Sequence, residues 1–142
     1  MLGAIGGTVY NLVLLVHLIA VIVGAGMAFL APIFMVRFRE FGGQNSGSLV
    51  ETIAGTVVFP GLLVAGIAGG ALVGLSDDQL DFGMTWLTVA GPLWLISLGL
   101  SLVAYPSLRM NVFNPPRELR RLARIGLHVV LLLLLVDMVW KP

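Results

Sequence analysis

At 142 residues, 58% of them hydrophobic and 11% charged, with a mean hydropathy of +1.04, the chain is too apolar to stand alone in water and takes lipid as its solvent. Four helices of about 23 residues use nearly all of that length and leave little for a soluble catalytic domain. A formal net charge of +1 supplies no basic surface for nucleic acid, and the absence of Cys removes disulfides, thiolate zinc sites and cysteine-held iron–sulfur clusters, so any cofactor falls to His, Met or backbone oxygen.

The first predicted span runs from about Val9 to Val36, where Arg37 and Arg39 mark the headgroups. It lacks a basic leader and is about twice the length of a signal-peptide core, so it reads as a retained span. A Gly/Ser/Asn stretch, Gly42 to Ser48, reads as a loop. The second span, about Thr52 to Leu75, contains Pro60-Gly61, which predicts a kink near mid-membrane, and ends at an acidic turn of Asp77, Asp78 and Asp81.

The third span, about Met84 to Tyr105, places Trp86 and Tyr105 at its two ends, positions that aromatic side chains favour at membrane interfaces. After Asn114-Pro115-Pro116 the fourth span begins near Glu118 and ends at Trp140, with Asp137 shallow enough in its last turn to be solvated. The expected fold is therefore an all-α membrane protein, a single domain forming a four-transmembrane-helix bundle.

Connections one and three carry Arg37, Arg39, Arg109, Arg117, Arg120, Arg121 and Arg124, whereas connection two carries three aspartates and no base. The positive-inside rule puts the basic connections in the cytoplasm and both termini on the other side of a bacterial-type inner membrane. Small residues recur every fourth position, as Ala20-Gly24-Ala28 on the first span and Gly61-Ala65-Gly69 on the second, with Gly66, Gly70 and Gly74 beside them and Ser97 and Ser101 on the third. Such stripes let helix backbones approach closely, within the bundle or against a homo-oligomeric or larger membrane-complex partner.

Two histidines, His17 and His128, lie inside spans, where an ionisable residue marks a functional site by default. His17 shares the face of Ala20 and Gly24. His128 continues a stripe from Arg117, Arg121 and Arg124 that climbs from the headgroups into the membrane and must meet water, anions or a partner. One reading makes His17 and His128 the axial ligands of a b-type haem iron, with Arg121 and Arg124 pairing with its propionates. On the predicted spans their levels differ by roughly 9–10 Å. The alternative is that His17 hydrogen-bonds a neighbouring helix while His128 sits in a wetted crevice with its arginines. No cluster of His, Asp and Glu has metal-site spacing, no nucleophile or phosphate-loop motif stands in a suitable context, and no catalytic residue is assigned.

The segment VLLVHLIAVIVGAGMAFLAPIF, with His17, Gly24, Gly26 and Pro32, resembles the first helix of a superfamily of small four-helix membrane proteins. That group comprises the CopD copper-resistance domain, HemJ-type protoporphyrinogen oxidases and a family of predicted integral membrane proteins without assigned function, which the chain fits best. Pro60 followed by glycines, and the ending LLLLLVDMVWKP, are similar too. The resemblance implies a redox-associated protein with haem b and a histidine on the first helix, which maps onto His17. A non-catalytic accessory subunit of a respiratory or other membrane complex is the alternative, with copper or small-solute transport behind it.

Overall fold

A computed structural model describes residues 5–77, 79–106 and 114–140. Four helices follow in order: α1 (Thr8–Gly42), α2 (Gln44–Gly74), α3 (Thr85–Ala104) and α4 (Arg117–Trp140). All four are long and apolar enough to cross a membrane. Arg109, Asp78 and Lys141-Pro142 fall outside the described residues.

The chain packs each helix on the next. α1 lies along α2, α3 along α4, and α2 joins the pairs through α3, while α1 and α4 meet least. α2 thus has neighbours on two sides, as its two small-residue stripes predict. Its core runs from Ala28, Ala31 and Met35 on α1 through Ala54 and Val58 on α2 to Leu127 and Leu131 on α4. Elsewhere large apolar side chains such as Ile22, Ile67 and Leu95 point outward, the distribution expected of a surface bathed in acyl chains.

Two expectations are corrected. The stretch 42–48 is not a loop: α1 runs to Gly42 and α2 starts at Gln44, so Gly43 alone reverses the chain, at φ +76°, a left-handed conformation that glycine adopts without a Cβ clash. Within that helix the hydroxyls are satisfied by helix carbonyls, Ser48 Oγ by Asn45 O and, one turn on, Thr52 Oγ1 by Ser48 O. At 35 and 31 residues, α1 and α2 are about 52 and 46 Å long, well over the roughly 30 Å of hydrocarbon, so their joined ends project from it.

The second correction concerns Trp86 and Tyr105, which at the two ends of α3 turn into the bundle rather than outward, at 8% and 2% exposure. Asp137 is half-exposed, with its Oδ2 buried and without a hydrogen-bond partner among the described residues.

Four cross-helix hydrogen bonds, made to three carbonyls, share one local design. In a regular helix each carbonyl accepts from the N–H four residues on, and its rim is covered by that residue's side chain. Pro32 has no N–H, so the carbonyl of Ala28 loses its helical donor. Tyr105 Oη donates to it at 3.3 Å, and His128 Nε2 lies 3.0 Å away. On α2 the carbonyls of Leu62 and Ala65 sit four residues before Gly66 and Gly69, where no Cβ stands in the way. Trp94 Nε1 donates to Leu62 O at 2.8 Å, and His17 Nδ1 to Ala65 O at 2.7 Å. A Cβ on Gly66 would fall 1.9 Å from the Trp94 ring, and one on Gly69 3.2 Å from His17 Cε1.

Candidate functional site: a basic crevice at one end of the bundle

The crevice is built by three helices where the joined ends of α1 and α2 meet the start of α4. α4 opens after Asn114-Pro115-Pro116, whose prolines do not extend a helix backward. From there the spacing of Arg117, Arg121, Arg124 and His128 puts a polar stripe on the face toward α1 and α2. The result is an open cavity of about 990 Å³. Its charged lining is five arginines (Arg39, Arg117, Arg120, Arg121 and Arg124) and two glutamates (Glu51 and Glu118), a surplus of three positive charges.

Glu51 is the local counter-ion. Its Oε1 is 3.1 Å from Arg120 Nη1 and 4.0 Å from Arg124 Nη2. The ion pairs of the described residues leave Arg39, Arg117 and Arg121 without a carboxylate. Arg124 spends its other contacts on soft groups, Nη1 on Met35 Sδ at 3.1 Å and its guanidinium 5.9 Å above the Tyr105 ring. The Nε of Arg120 is buried and has no hydrogen-bond partner among the described residues. Guanidinium groups so gathered and so incompletely neutralised suit a phosphate or carboxylate, which accepts several N–H donors at once.

The structure brings Arg121, Arg124 and His128 to this crevice and leaves His17 elsewhere. His128 lines the cavity, but its Nδ1 faces Arg124 O and its Nε2 faces Ala28 O, while Phe29 packs edge-on 5.1 Å from its ring. A carbonyl only accepts, so one of the two nitrogens of a neutral imidazole donates while the other turns its lone pair toward a carbonyl oxygen instead of the cavity. His17 contacts α2 instead. Its Nδ1 carries the proton given to Ala65 O, which leaves Nε2 as the lone-pair nitrogen.

Along α1, His17 and the His128 contact at Ala28 are eleven residues apart, about 16 Å of helix rise. That is wider than the predicted spans imply, because His128 reaches α1 near Pro32 rather than across from His17. Arg124 meets α1 at Met35, eighteen residues from His17 and so about 27 Å along the axis. A ligand held at His17 and one held by Arg121 and Arg124 therefore occupy different places.

Sequence reasoning singled out the arginine stripe but missed Glu51, Met35 and Tyr105, which come from three other segments and carry no local pattern. Among the described residues no three of His, Asp and Glu converge as a metal-ligand group. Compared with family models, curated proteins and solved structures, the chain matches none of them.

Proposed function

We propose that this small integral membrane protein works by binding, not by covalent catalysis, and that its site is the basic crevice, which takes an anionic group at the level of the cytoplasmic headgroups. The observation that carries this is the surplus of arginine over glutamate around a cavity of about 990 Å³. The side assigned follows from the arginine-rich first and third connections and the acidic second one. Binding of an alkyl phosphate in neutral detergent, at constant ionic strength, is expected to raise the unfolding temperature. Arg121→Gln with Arg124→Gln should remove the rise, whereas Arg37→Gln, outside the cavity lining and paired with Glu40 on the exposed end of α1, should keep it. An equal rise in all three proteins would show that the crevice is not the site.

A second reading keeps haem b, on one axial ligand. Its support is the His17 ring: Nδ1 is pinned on Ala65 O, an orientation that leaves Nε2 available, as in many metal-bound histidines. On this reading His128, Arg121 and Arg124 belong to the crevice and not to the haem. Protein from haem-replete cells should then show a Soret band that shifts on reduction, lost in His17→Ala and kept in His128→Ala. Colourless protein would sink the reading and leave the crevice proposal untouched.

A further inference from the structure

Resting on the binding reading above, we propose that the anion is the phosphate of an anionic phospholipid, which enters sideways from the bilayer through the seam between α1 and α4.

The lining of the crevice changes character with depth in the way a phospholipid does. At the outer end stand Arg39 and Arg117, and deeper along the same helices come Val36 and Pro32 on α1 and Ile125 on α4. Val36 and Ile125 both line the cavity, yet they are 59% and 54% exposed, so the cavity wall at this level is open to whatever surrounds the helices. In the span that surrounding is hydrocarbon. An acyl chain lying on Val36, Pro32 and Ile125 places its phosphate at the arginines, whereas a free phosphate uses none of the apolar wall.

The seam is loosely closed at this level. α1 and α4 make the least contact of the neighbouring helices, and they are tied by the bonds of His128 to Ala28 O and of Arg124 to Met35, beside the bond from Tyr105 at the end of α3 to the same Ala28 O. Beyond those ties, toward the projecting end, α1 and α4 border the cavity instead of closing on each other. Arg121 and Arg117 carry no carboxylate partner there, and the N-terminus of α4 adds the positive end of its dipole to the same mouth. Charge, apolar wall and lateral opening all match a lipid phosphate.

The test is native mass spectrometry of the whole protein in neutral detergent with phosphatidylglycerol, phosphatidylcholine or glycerol phosphate added. Phosphatidylglycerol should be retained on the order of tenfold better than phosphatidylcholine, and the Arg121→Gln/Arg124→Gln protein should lose that preference while Arg37→Gln keeps it. Glycerol phosphate bound as well as phosphatidylglycerol would overturn the lipid assignment and leave the anion crevice standing. No preference for either anion in the wild-type protein would overturn both, and that comparison needs no variant to fold. Preference retained in the double variant would place the lipid on another surface and overturn the inference.

Discussion

Gly24→Ala should lower the stability of the bundle by about 1–3 kcal/mol or prevent its assembly, read as loss of folded monodisperse protein in detergent. The added Cβ falls 2.9 Å from both Gly61 C and Leu62 N, and these are backbone atoms that no rotamer change moves away. The contact is mutual, since a Cβ on Gly61 would lie 2.7 Å from Gly24 Cα. α1 and α2 touch backbone to backbone at this crossing. Relief would require the two helices to separate, which loosens Ala20, Ala25 and Ala28 from their packing. Leu133→Ala, at a position 52% exposed on the lipid-facing side of α4, is the control and should leave the yield unchanged. If Gly24→Ala is tolerated equally well, the close crossing does not exist.

Gly66→Ala should be at least as damaging, by a different route. Here the added methyl would coincide with the indole of Trp94, with Cε2 at 1.9 Å, Nε1 at 2.2 Å and Cζ2 at 2.3 Å. The ring must leave, and with it goes the hydrogen bond from Trp94 Nε1 to Leu62 O, so the variant loses packing and a polar tie in one step. Trp94→Phe separates the two effects: it keeps an aromatic body on Gly66 and deletes the donor, at a cost of about 1 kcal/mol. Near-ultraviolet circular dichroism should show the Gly66→Ala tryptophan signal altered, while that of Gly26→Ala, whose Cβ meets nothing within 4 Å, should match the wild type. An unchanged tryptophan environment in Gly66→Ala would refute the stacking.

The helices were legible because lipid requires it: a backbone that cannot bond to water must close its hydrogen bonds within each span, so hydropathy alone marks where the spans lie. The Gly24 and Gly61 positions were legible for a related reason, since small residues at four-residue spacing have few uses in a membrane other than close approach. The turn at Gly43 was not, because a single glycine in the left-handed region and a seven-residue loop draw on the same residue types. For the site, the arginine stripe on α4 showed in the spacing, whereas Glu51, Met35 and Tyr105 are brought to it by the path of the chain through three other helices. The histidines were visible as buried polar residues, but the sequence does not say what they face. Each cross-helix carbonyl they contact lies four residues before a glycine or a proline, a pairing that exists only after packing.

Pro32 also imposes an order of events on biosynthesis. By removing the N–H that would serve Ala28, it sends α1 into the bilayer with a carbonyl in need of a donor, and both donors it eventually meets, Tyr105 and His128, lie on parts of the chain synthesised later. The first hairpin is thus incomplete on its own: until α3 and α4 arrive, that oxygen must be met by water or lipid headgroups, or by a neighbouring protein such as the insertion machinery itself. The C-terminal half does not merely add to a finished N-terminal half. It discharges a debt that the first helix carries from the moment it enters the membrane.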